Sequence, residues 1–164
     1  VDVVQLLLDK KIDLNTRDDD GWTGLMWACC YGHKDVVKLI LNNSNIELNA
    51  RNIDGGTAFL MACNYGHKDV VQLLLEHSDG MKVNAGDIDG DTAFIIACEN
   101  GHKDVVKLLL DHSDIIELNA RDDIGRTALM KACANVHKDV VKLLLANSAA
   151  KNIDMHQSKR RKLK

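Results

Sequence analysis

The chain has 164 residues, the length of one domain, with 46% hydrophobic residues, 27% charged residues and a net charge of −3. Its apolar runs are only a few residues long, which excludes a membrane-spanning helix, and no secretory signal is legible. The last six residues, KRRKLK, carry five positive charges, which leaves −8 on the remainder and argues against nucleic-acid binding by that acidic body.

The chain opens on VDVVQLLLDK, an apolar pattern of helical period without an initiator Met. The expectation is half a structural unit at residues 1–14, cut from a longer protein. A polar turn with a glycine follows, then threonine, a short apolar stretch, Gly-His-Lys-Asp, and a Val/Leu-rich stretch. This order recurs. Gly21, Gly55, Gly90 and Gly125 are spaced 34, 35 and 35 residues apart, and so are Thr23, Thr57, Thr92 and Thr127, and His33, His67, His102 and His137. A fixed period of this length signals a stack of small units.

Each unit reads as two helices. The threonine hydroxyl caps the first, because it can accept from a free backbone N–H. The glycine before the histidine ends it, because a left-handed residue costs glycine little. In the second helix of the third unit, Val105, Val106, Leu108, Leu109 and Leu110 form an apolar stripe, and Asp104 in its first turn suits the helix dipole. Two such short helices are marginal alone and must stack on copies of themselves. Four of the five cysteines, Cys29, Cys63, Cys98 and Cys133, recur at one position; with Cys30 they read as small core residues in a reducing compartment rather than as a disulfide framework.

The pattern D-x-D-G-x-T-A-x-x-x-A-C-x-x-G-H-K-D-V-V-x-L-L-L, with L-N-A-R in the linker, resembles the ankyrin repeat over Val1 to Asn147. The resemblance implies an all-α solenoid of helix-turn-helix units joined by hairpin-like loops. It divides the chain into a second helix at 1–14, repeats at 15–48, 49–83, 84–118 and 119–147, and a basic tail at 148–164. The sequence departs from the family at TGLM, TAFL, TAFI and TALM, where Thr-Pro-Leu-His is usual; there is no proline in the chain. Met26, Leu60, Ile95 and Met130 are expected to replace the family's histidine with apolar packing. Val136 stands where the other units have glycine, so the last unit is expected to end its first helix differently and to be the most frayed.

No catalytic constellation is legible: there is no phosphate loop, nucleophile elbow or HExxH. The spacing Cys-x-x-x-His recurs, but glycine interrupts it in three copies, so no metal or cofactor is expected. The resemblance implies an Asn-hydroxylation position at Asn15, Asn49 and Asn119, though the expected role there is to bridge neighbouring turns. It further implies binding of another protein, by a monomeric intracellular module, on the concave face of turn tips and first helices. Carried onto this chain, that face comprises Asp19, Asp20, Trp22, Trp27 and Tyr31; Ile53, Asp54, Met61, Asn64 and Tyr65; Ile88, Asp89, Asp91, Ile96, Glu99 and Asn100; and Ile124, Arg126, Lys131 and Asn135. It holds both tryptophans and both tyrosines and grades from acidic in the first three units to basic at Arg126 and Lys131. The alternatives are a structural spacer in a larger protein, or a nuclear-targeted regulator using the basic tail.

Overall fold

The computed structural model describes residues 12–148; residues 1–11 and, of the expected basic tail, residues 149–164 lie outside them. The described residues form four helix pairs and no named strands. The first members are α1 (Gly24–Cys30), α3 (Ala58–Asn64), α5 (Ala93–Glu99) and α7 (Ala128–Ala134). The second members are α2 (Lys34–Leu41), α4 (Lys68–Glu76) and α6 (Lys103–Asp111), and α8, helical from 138 through 148. First helices pack on first helices and second on second, so two helical layers run side by side.

Each first helix begins as its threonine dictates. The hydroxyls of Thr23, Thr57, Thr92 and Thr127 accept from the backbone N–H three residues on, at 3.2 to 3.5 Å. Each ends at a left-handed residue, Gly32, Gly66 and Gly101 at φ +69 to +74°. Val136 takes the same conformation at φ 59°, and its N–H donates to Cys133 O as Gly66 N–H does to Cys63 O. The expectation that α7 would end differently is therefore overturned. Backbone bonding outweighs a left-handed penalty of about 1–2 kcal/mol.

The glycines serve a second need. His67 Nε2 lies 2.8 Å from Cys30 O, His102 Nε2 lies 2.8 Å from Asn64 O, and His137 Nε2 lies 2.8 Å from Glu99 O. A carbonyl only accepts, so Nε2 carries the proton. Each imidazole thus ties down the C-terminal end of the preceding first helix. It does so by lying over that unit's glycine: a Cβ on Gly32, Gly66 or Gly101 would stand 2.5 Å from Nδ1 of His67, His102 or His137. Linker asparagines add a second tie. Asn49 donates to Gly80 O and accepts from Lys82 N–H, both at 2.7 Å, and Asn15 and Asn84 make the equivalent pairs.

The core is continuous across the units, with Leu25, Met26, Leu60, Val70, Leu74, Ile95, Val105 and Leu109 at its centre. Met26, Leu60 and Ile95 are buried as expected, but Met130 and Cys133 are exposed. In the inner units these positions are covered by the next first helix, and among the described residues α7 has no such neighbour. Burial pushes the thiols of Cys29 and Cys98 up to about 12, and Cys63 higher still.

Two outcomes follow. Gly66→Ala should destabilise the chain by about 2 kcal/mol or more in urea denaturation, since it adds both a left-handed penalty and a clash with His102; Val136→Gly should stabilise it by about 1 kcal/mol. The buried thiols make stability fall with alkali. An unfolded thiol ionises near 9 while the folded one stays protonated, so stability is full below pH 9. It is then lost at about 1.4 kcal/mol per pH unit per thiol as pH rises towards 12. Denaturation midpoints at pH 8 and pH 10 should differ strongly for the native chain and much less for Cys29→Ala/Cys63→Ala/Cys98→Ala.

Candidate partner-binding face

The turn tips project from the ends of the first helices and share one construction. An Asp or Asn at the base accepts from backbone N–H groups across the turn: Asp18 from Asp20 and Trp22, Asn52 from Gly56, Asp87 from Asp89 and Asp91, and Asp122 from Ile124 and Arg126. Neighbouring tips are stitched by Ile53 N–H to Asp20 O, Ile88 N–H to Asp54 O and Asp123 N–H to Asp89 O, each 3.0 Å. The tips therefore form one ordered ridge beside the first-helix layer.

In the first pair this surface carries a stack of rings. Trp22 and Trp27 lie 4.5 Å apart between centroids, Trp27 and Tyr31 5.9 Å, and Tyr31 and His33 6.0 Å, all stacked. Trp27 Nε1 donates to Asp18 Oδ2 at 3.0 Å. Trp22 is half-buried; Trp27 and Tyr31 are exposed. In the second pair Tyr65, also exposed, stacks on His67 at 6.5 Å. A hydrogen bond with Cys30, then the charge of Cys30, burial and Tyr31, hold its phenol above the ordinary value.

Most of the expected contact residues lie on this surface. Asp19, Asp20, Ile53, Asp54, Ile88, Asp89, Asn100, Ile124, Arg126 and Asn135 are exposed, and Met61, Asn64 and Glu99 are partly so. The amides of Asn100 and Asn135 are already engaged by the preceding unit, at Asn64 Oδ1 and Glu99 O.

Ile96, Asp91 and Lys131 are corrections, because all of them are buried. Ile96 sits on α5, flanked by α3 and α7, and joins the core. Lys131, 3% exposed, turns its ammonium inward to Asp91 and to Glu99 Oε2 at 3.0 Å, with Asp122 Oδ2 at 3.7 Å. Arg126 Nε spends itself on Asp122 Oδ2 at 2.6 Å. Burial alone would lower Lys131's pKa, but Asp91 and Glu99 outweigh it and raise it. For Asp91 burial outweighs Lys131's hydrogen bond, and its pKa is raised. For Asp122 the bonds from Arg126 and the Lys131 charge overcome burial and lower it. The expected basic end of the face is therefore internally neutralised, and the exposed tip charge is acidic. Sequence reasoning missed Asp18 as the indole acceptor and Asp122 as the shared partner of Arg126 and Lys131; their place at the tip base, two residues before the solvent-facing Asp or Ile, was the available signal. Among the described residues no group of three or more His, Cys, Asp or Glu is placed to hold a metal.

A family model described as ankyrin repeats (3 copies) matches residues 1–87 and 78–157. The chain belongs to the ankyrin-repeat family. Ankyrin repeats are a non-catalytic fold and serve as protein–protein interaction modules. Similar curated proteins include acyl-CoA-binding domain-containing protein 6 of Danio rerio, 48% identical over 42 residues, which are 26% of this chain and 14% of that protein. Osteoclast-stimulating factor 1 of Danio rerio is 50% identical over 38 residues, 23% of this chain and 18% of that protein. Ankyrin repeat and SAM domain-containing protein 6 of Rattus norvegicus is 49% identical over 41 residues, 24% and 5% respectively. The chain thus spans less than one fifth of each of these relatives. Among the described residues no helix is long and apolar enough to cross a membrane.

Removing the Lys131 ammonium strands buried carboxylates. Lys131→Ala should cost about 3 kcal/mol in urea denaturation, whereas Lys138→Ala, at an exposed position of α8, should change stability by less than about 0.5 kcal/mol.

Proposed function

We propose that this ankyrin-repeat chain binds a partner protein on the surface made by its turn tips and first helices, as a non-catalytic, monomeric module of a larger intracellular protein. The observation that carries the reading is the ring stack in which Trp27 and Tyr31 stand exposed on a half-buried Trp22, with exposed Tyr65 on the next unit. Large aromatic side chains left in water on one face are what interface anchors look like. Asp19, Asp20, Asp54 and Asp89 are exposed along the adjoining tips, so the partner is a segment with an apolar anchor and basic flanks. The hydrogen bond from Trp27 to Asp18 and the stack itself hold the rings ready, so little side-chain freedom is lost on binding. The intracellular assignment rests on five free cysteines, four of them buried and Cys133 exposed.

Capture from a cell extract tests this. The native chain is compared with a Trp27→Ala/Tyr31→Ala/Tyr65→Ala variant of matched circular dichroism. Each true anchor should contribute about 2 kcal/mol, so a partner held by the native chain should be lost from the variant. Equal capture by both would sink the reading and leave the spacer role.

A further inference from the structure

The tip ridge carries a second pattern, separate from the ring stack. Ile53 and Ile88 are 65% and 62% exposed at the same place on successive tips, and Ile124, one position further along its own tip, is 74% exposed. They join neither the core nor the residues packed against it. Each has a solvent-facing carboxylate next to it in the chain: Asp54, Asp89 and Asp123. A β-branched side chain held out into water at a loop tip stabilises nothing in the fold.

The tips are fixed relative to one another by the bonds from Ile53 N–H to Asp20 O, Ile88 N–H to Asp54 O and Asp123 N–H to Asp89 O. Every tip is a two-armed turn, so the next lies about two strand spacings away, roughly 9.5 Å. Helices packed side by side at about 8–10 Å give the same repeat. An extended polypeptide advances about 3.3 Å per residue, or about 3.1 Å as polyproline II. In a β-strand successive side chains face opposite ways, so its third residue points away; in polyproline II, with about three residues per turn, every third side chain faces the same way and arrives over the next tip. A helix returns to the next tip only after about seven residues and presents a broad apolar stripe, whereas each tip offers a single narrow side chain.

We infer that the ridge of Ile53, Ile88 and Ile124 docks a segment in the polyproline II conformation, with apolar side chains at every third position and Lys or Arg between them. The isoleucines meet the apolar residues, and the intervening cations meet Asp54, Asp89 and Asp123. This rests on the partner-binding reading above and specifies the partner's conformation and period.

The test uses labelled synthetic peptides of one composition, leucine and lysine with serine spacers, differing only in leucine spacing: two, three, four or seven residues. Fluorescence anisotropy at moderate salt reads their binding to the whole chain. The spacing of three should bind about ten-fold tighter than the others, a difference of about 1.4 kcal/mol. That preference should vanish in Ile53→Ser/Ile88→Ser/Ile124→Ser, whose changes are all at exposed sites, and persist in the Trp27→Ala/Tyr31→Ala/Tyr65→Ala variant. Equal affinity at every spacing, preference for seven, or indifference to the isoleucine substitutions each overturns the inference. So does failure of every peptide to bind. In any of these cases partner capture that still depends on Trp27, Tyr31 and Tyr65 leaves the broader reading standing.

Discussion

The seating of one unit's imidazole in the preceding unit's glycine turn governs this molecule. Helices of seven to eleven residues do not hold together alone. What makes them a structure is the boundary between units, and three separate bonds converge there. The histidine ties the end of the previous first helix, the linker asparagine ties the return segment, and the tip backbones are stitched together. All of these bonds join residues about 30 to 38 positions apart, so the fold is a chain of identical neighbour contacts rather than one global core. Its rigidity is handed on to the tips, and that order makes the tips usable as a binding surface.

The fold was legible because its determinants are local and repeated. Thr57 at the head of α3 and Gly66 at its end specify that helix from a few residues of sequence, and the spacing of the histidines specifies the stack. The errors have a common cause. Trp27, Met61, Ile96 and Lys131 occupy one register position on successive first helices, so a reading by register gives them all the same exposure. Their burial is decided instead by side chains a full unit away: Asp91 and Glu99 draw Lys131 under, and α3 and α7 cover Ile96. Met130 and Cys133 err the other way, having core registers on a helix whose following neighbour is not among the described residues. The recurrence of the rings on one face was legible; their stacking on one another and the bond from Trp27 to Asp18 were not, because ring orientation leaves no trace in spacing.

The electrostatics change character with Lys131. Counted along the chain, the face runs from acid to base. In three dimensions Lys131 is folded away to neutralise carboxylates beneath the surface while Arg126 stays exposed beside Asp122, and the Lys131 arrangement is a costly one that binds the fourth unit to the third. Buried ionic contacts specify which surfaces meet more than they strengthen the meeting. Here the third unit supplies Asp91 and Glu99 and the fourth supplies Lys131, so this boundary is unlike the others. On the tips the exposed Asp19, Asp20, Asp54, Asp89 and Asp123 outnumber the exposed Arg126, an acidic excess that favours fast encounter with a cationic partner.

The imidazole seat also gives the stack a direction, and with it a rule for how such a gene can grow. An inner unit carries a socket, its glycine, at one edge and a plug, its histidine, at the other. A copy of it inserted ahead of the third unit meets compatible edges on both sides, so unequal crossing-over can lengthen or shorten that part of the stack without disturbing an imidazole seat. The fourth unit has a plug but, with Val136, no socket. A duplicate of it placed internally would set an isopropyl group where the next imidazole must lie, so the tract that can be copied freely ends before residue 136.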